Sequence, residues 1–428
     1  MIRRTTSPRP EHRTRTDLAV TAGLTVAAVA FVGVGWLFSD TRGTDHSTAA
    51  PGDAISPATA EDVQVPTAVR ETWRAATDPT TAPEPLTMDG AVVRTDGDRV
   101  AVLDAADGHE VWSYRRNRAL CAVTGGWSRV IAVYRGPKGC GEATSLAVAT
   151  GRYVDTRSAL APDEVTTFRS LDHVGLLGDD RVELWRSDLV RTVEVGHQEV
   201  AVNPGVQPAD GCRFSSALTR KKVLAVVMDC PGDTGGDRTV SLLDADPENA
   251  GEPETTHDFT VPEGSELVAV GQDAALIYVP GDGVRAKDDT DEEGSRFQVL
   301  RTDGSFGQYP ADPVDTSGPA YPAAGRPAQT ADLPHHMTWF DGQRVLAFGP
   351  TDLDLRFSVP ALGTGAAMGG RLLLPVTGGI AVVDWTDGRT ETVIPVDRGD
   401  WAGPVTLRVQ GDTLIEQRGG TLVGLAAS

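Results

Sequence analysis

The feature that most constrains this chain is a short unit that returns eight times in residues 65–428. The clearest copy reads Asp98-Arg-Val-Ala-Val-Leu-Asp104-Ala-Ala-Asp107-Gly108-His-Glu-Val-Trp112. A β-branched run predicts a strand ending at Asp104. Asp107-Gly108 predicts a tight hairpin turn, and the strand after it carries Trp112. Looser copies start at Ser145, Arg181, Thr239, Arg296, Arg344, Ile380 and Thr421, and the seventh keeps Asp384 and Gly388. No long helical period interrupts them. Unit starts lie about 36 to 58 residues apart. A period in the forties with four strands per unit predicts an all-β, eight-bladed β-propeller, with seven blades as the alternative count.

The pattern also predicts how the ring closes. The last copy, Thr421 to Ser428, supplies a third strand and leaves no residues for a fourth. Val69-Arg-Glu-Thr-Trp73-Arg-Ala-Ala reads as an orphan fourth strand, with Trp73 placed as Trp112 is. This strand is expected to complete the last blade, which leaves no open sheet edge.

Ahead of the repeats, Leu18 to Phe38 is a 21-residue run without a charge. As a helix it spans about 30 Å of hydrocarbon. Arg3, Arg4, Arg9, Arg13 and Arg15 precede it, against Glu11 and Asp17. The positive-inside bias therefore predicts a single-pass anchor (18–38) with residues 1–17 cytoplasmic and the rest extracytoplasmic, and with Trp36 near the outer interface. A cleaved signal peptide is the alternative. Residues 39–64, rich in Ser, Thr, Ala, Pro and Asp, predict a disordered stalk. The chain carries a formal −21, and its basic tail leaves about −24 on residues 18–428. Such a balance argues against nucleic acid as a partner.

Four cysteines fall in two similarly spaced pairs, Cys121 with Cys140 and Cys212 with Cys230. Each pair brackets two short runs and a turn. In an antiparallel blade the start of the first strand lies beside the end of the second, so each pair is placed to bridge within a blade. Four cysteines allow three connectivities, of which 121–140 with 212–230 is favoured. A zinc site lacks the expected C-x-x-C spacing and flanking histidines.

The unit Val-Ala-Val-Leu-Asp104-Ala-Ala-Asp107-Gly108 followed by Trp112 resembles the pyrroloquinoline-quinone-type propeller repeat. Degenerate copies cover most of residues 65–428, with Asp384-Trp385-Thr-Asp387-Gly388 a partial match. The resemblance implies an eight-bladed propeller in which Asp104, Gly108, Trp112, Asp384, Gly388 and Trp73 are structural. It is shared by quinoprotein dehydrogenases and by non-enzymatic assembly lipoproteins of the outer membrane. The whole layout resembles single-anchor actinobacterial envelope proteins of unassigned function. Dehydrogenases of this type set adjacent cysteines against the quinone and bind calcium near a catalytic aspartate. No two cysteines are adjacent here, and no stretch matches that calcium site.

Three further stretches invite a functional reading. Asp288 to Gly294 opens like a calcium loop, but Leu300 occupies the position of the bidentate glutamate, so a solvated acidic loop is expected. His335-His336 reads as the entry to a strand, where neighbouring side chains point to opposite faces. Gly363 to Gly370 lacks the βαβ context of a phosphate loop and is expected to be an inter-blade turn. No catalytic, cofactor-binding or metal-binding residue is assigned. The function expected is a membrane-anchored module that binds a protein or cell-wall partner. The alternative is an extracytoplasmic enzyme, quinoprotein-type or carbohydrate-active.

Overall fold

The computed structural model describes residues 14–37, 40–56, 63–81, 84–198, 205–232, 236–315 and 328–428. One helix, Arg15–Leu37, has no buried residue. It starts three residues before the apolar run because Thr14 and Asp17 cap it reciprocally. The Thr14 N–H donates to Asp17 Oδ2 at 2.9 Å, and the Asp17 N–H donates to Thr14 Oγ1 at 3.2 Å. Most of the basic tail and Phe38 lie outside the described residues.

The remaining described strands form eight antiparallel sheets, an eight-bladed propeller. In chain order the blades begin at Leu86, Leu120, Thr166, Arg213, Glu266, Gln329, Ala366 and Val405. First strands of successive blades approach one another around the centre. All eight copies of the sequence unit coincide with third strands. Second and third strands sit between neighbouring blades and are apolar on both faces. Ala274–Val279 and Val223–Asp229 are buried almost throughout. Fourth strands lie outermost and most are partly exposed, as Tyr153–Ser158 is, whereas Arg191–Gly196 of blade 3 is buried almost throughout.

Val69–Ala76 pairs antiparallel with Thr421–Ala427 and is the fourth strand of the eighth blade. The Ser428 N–H also donates to Ala68 O at 3.1 Å. N-terminal and C-terminal segments of the domain thus share one sheet.

The repeat residues hold blades to one another. Asp104 Oδ1 accepts from the Ala106 N–H at 2.8 Å, and Asp384 Oδ1 accepts from the Thr386 N–H at 2.7 Å, so each aspartate caps its own turn. The outer-strand aromatic of the preceding blade then lies on that turn's glycine. Trp73 Nε1 donates to Ala105 O at 2.8 Å, and Trp112 Nε1 donates to Val148 O at 2.6 Å. A Cβ on Gly108 would stand 2.6 Å from the Trp73 ring, and one on Gly151 2.7 Å from Trp112. His257 lies over Gly304 and Phe357 over Gly388 in the same way. Gly108, at φ +73°, is needed both for its backbone and for this approach.

The disulfides are Cys121–Cys140 and Cys212–Cys230, with Cα separations of 6.0 and 4.2 Å. The second joins the start of a first strand to the end of a second, as the spacing suggested. The first differs, because Cys140 lies past the turn, on the third strand Gly139–Ala147.

Two expectations are corrected. Part of the predicted stalk is ordered. From His46, whose ring meets Tyr114 edge-on, the chain runs along blades 1 and 2. The Ser47 N–H donates to Ser113 O at 2.9 Å and the Ala49 N–H to Thr150 O at 3.0 Å, and Ile55 is buried. An open sheet edge and one well-placed apolar side chain suffice to seat a segment whose composition is polar. The glycine-rich run is likewise more than a turn. Ala366–Met368 is the first strand of blade 7, flanked by glycines where backbones crowd. A Cβ on Gly363 would meet Val405 O at 2.2 Å, and one on Gly365 would meet Leu373 O at 2.3 Å.

Candidate functional site

Among the described residues a half-open cavity of about 490 Å³, lined by charged and apolar side chains, lies on the rim of blade 3. It arises at the third strand Arg181–Trp185, where Glu183 takes the place held by Ala101, Gln298 and Leu346 in other copies. Arg181 and Glu183 project from one face of the strand. The antiparallel register sets Glu183 directly opposite Glu194 of the fourth strand. Two carboxylates so placed would repel unless neutralised.

Three arginines neutralise them. Arg181 Nη2 donates to Glu183 Oε1 at 2.7 Å and also to Glu194. Arg157, from the outer strand of blade 2, donates to Glu183 at 3.0 Å, and Arg191 pairs with Glu194. Trp185 Nε1 donates to Glu183 Oε2 at 2.8 Å, and Gln198 donates to Glu194. Arg181, Glu183 and Glu194 are all more than nine-tenths buried. Burial pushes the Glu183 carboxyl up. The charges of Arg157 and Arg181, with the hydrogen bonds from Arg181 and Trp185, outweigh it and hold the group below its ordinary value. Lys138, Leu160, Val206 and the segment Asn249–Glu252 complete the cavity wall.

A second concentration of charge lines the centre. Arg169, on the first strand of blade 3, donates to Gly125 O at 3.0 Å. Enclosure and the like charge of Arg408 lower its pKa, with Glu84 opposing. Arg408 pairs with Glu84 and donates to Thr364 Oγ1 at 3.1 Å. Arg220 reaches from blade 4 to blade 6, donating to Pro350 O at 3.0 Å and pairing with Asp332 at 3.4 Å. Every one of these cations has a protein acceptor, so the group reads as a set of ties between blades. A third cluster, Glu416 with Arg398 at 2.6 Å and Arg418 at 2.7 Å, is buried where blade 7 meets blade 8.

The sequence motifs fall elsewhere. His335 and His336 precede the strand Met337–Phe340, and both rings pack on Trp385, with centroids 5.2 and 5.6 Å away. Asp288 to Gly294 lies between the second and third strands of blade 5, where Asp291 accepts from backbone N–H groups of Lys287, Glu293 and Gly294. Among the described residues no three His, Cys, Asp or Glu side chains come together as metal ligands. The rim cavity escaped the sequence reading, although a signal was present. Glu183 puts a carboxylate inside a third strand whose other copies carry Ala101, Gln298 or Leu346 at that place, while the leading Arg181 is shared with Arg99, Arg296 and Arg344.

No family model matches the chain, and no curated protein matches it. Among solved structures it is similar to a WD40 domain from Neurospora crassa, at 10% identity, covering 85% of this chain and 97% of that one, with a TM-score of 0.45. AztD from Citrobacter koseri is similar at 13% identity over 76% and 87% of the two chains, TM-score 0.46. The dihydro-heme d1 dehydrogenase NirN is similar at 13% identity over 91% and 78%, TM-score 0.44. Likenesses this remote carry no functional argument.

Proposed function

We propose that this protein is a membrane-anchored, extracytoplasmic β-propeller that binds a protein or cell-envelope partner through the loops at its faces. The observation that carries the reading is the joining of two features in one chain. A 23-residue apolar helix with no buried side chain precedes a domain with two disulfides. At about 1.5 Å per residue the helix is long enough to cross a bilayer. Disulfides persist in oxidising compartments. The arginines before the helix favour a cytoplasmic N-terminus. A closed propeller held by repeated turn-to-aromatic contacts is a rigid display for loops, which suits binding. The resemblance of Asp104 to Trp112 to the pyrroloquinoline-quinone-type repeat is compatible with this reading, because that repeat also builds non-enzymatic assembly proteins.

Photocrosslinking in intact membranes tests the proposal. Full-length bait is expected to capture a defined envelope component that a bait of residues 1–56 does not. Identical captures from both baits would overturn it.

A further inference from the structure

We propose that the junction between blades 6 and 7 is an acid-sensitive latch, in which the neutral His336 ring holds residues 333–336 against Trp385 and releases them when it is protonated. The inference is independent of the anchored-partner reading.

Position is the first ground. In blades 3 and 6 the residue just before the second strand is a histidine, His173 and His336. Each reaches the turn that follows the third strand of the next blade. Blade 4 offers His173 a carboxylate, Asp246 Oδ1 at 3.1 Å. Blade 7 offers His336 an indole. The His336 and Trp385 rings are within 8° of parallel, and Phe357 meets His336 edge-on at 5.3 Å. The Leu333 N–H donates to His336 O at 3.1 Å, so the loop is tied to the residue that carries the ring. Trp385 beneath it is 8% exposed.

The surroundings of the ring are the second. Nδ1 of His336 is buried and has no hydrogen-bond partner. A neutral imidazole can leave a bare lone pair there, whereas an imidazolium carries N–H on both nitrogens and must bury one without an acceptor. An imidazolium also attracts an indole face, but a charged donor buried unpaired costs more. Neighbouring charges bring no relief. His335 shares the loop, and Arg356, on the fourth strand of blade 6, is paired with Asp352. In the facing turn of blade 7, Asp384 accepts from the Thr386 N–H at 2.7 Å and Asp387 from the Arg389 N–H at 3.0 Å. Enclosure, with the charges of His335 and Arg356 adding to it, holds the His336 pKa below its ordinary value of 6.5. The hold of the latch is therefore complete above that value and is lost as pH falls below it.

Hydrogen exchange of the full-length protein in detergent micelles tests the latch, read peptide by peptide at pH 7.5 and pH 5.0 and corrected for the chemical exchange rate. In the parent, residues 333–337 and 385–388 are expected to lose protection several-fold at pH 5.0. His336→Phe keeps an aromatic ring that cannot charge, and its protection is expected to be independent of pH. His336→Gln is expected to be independent of pH as well, and it serves if the phenylalanine variant does not fold. His335→Gln is expected to keep the parent's loss. Equal protection of the parent at both pH values, an equal loss in the parent and the His336 variants, or a loss abolished by His335→Gln would overturn the proposal.

Discussion

Deleting residues 66–77 is expected to leave the propeller unfolded or melting far below the parent protein. The segment lies hundreds of residues from its partner in sequence, yet it pairs along the whole of Thr421–Ala427. Without it that strand becomes an open edge, and the eighth blade loses its solvent-facing layer. Trp73 goes with the segment. It is 9% exposed, lies over Gly108 of blade 1 and donates to Ala105 O at 2.8 Å. Removing a buried tryptophan side chain alone costs about 3–5 kcal/mol, a large share of the roughly 5–15 kcal/mol that stabilises a typical domain. Its indole ring also ties the last blade to the first, so the closure of the ring goes with it. Circular dichroism and calorimetry of the deletion variant would show this directly, and a melt at the parent temperature would refute the closure.

Glu266→Gln is expected to stabilise the protein at alkaline pH and to change little at pH 5. Glu266 opens the first strand of blade 5. Burial pushes its carboxyl up to about 7 from an ordinary 4.5, with the Arg238 charge opposing. Between those two values the native state keeps a proton that the unfolded chain has released. Stability therefore falls as pH rises through that window. The accumulated loss above it is on the order of 2–3 kcal/mol. Glutamine mimics the protonated acid and removes the dependence. The measurement is the difference in melting temperature between variant and parent at pH 5 and pH 8. Because other carboxylates respond in the opposite sense, the difference is informative and the parent's slope alone is not. A difference that stays constant between the two pH values would contradict the assignment.

How far the sequence reveals this fold depends on where each strand sits. Third strands are legible because they are buried on both faces and end in an aspartate-capped turn, so Val100 to Asp104 and Ile380 to Asp384 carry both a composition and a punctuation. First strands are short and lean on neighbouring backbones. Ala366–Met368 hides within a glycine run, and Leu86–Met88 has only three residues. The docking of His46 to Ile55 was not legible either, because it depends on an open sheet edge and on a single isoleucine. Cysteine spacing indicated bridges within blades, but it does not encode where the turn after Gly136 falls, and Cys140 lies past that turn on a third strand. The rim cavity is tertiary in origin. Arg157, Arg181 and Arg191 come from two blades, and only the register of Glu183 against Glu194 gives them a common purpose.

The central claim, a disulfide-bonded propeller displayed outside the membrane, is tested most directly by trapping thiols in intact cells with an alkylating reagent and mapping the peptides. The account predicts no alkylated cysteine before reduction and four after it, with Cys121 linked to Cys140 and Cys212 to Cys230. Four cysteines alkylated without reduction would place the domain in a reducing compartment and contradict the account.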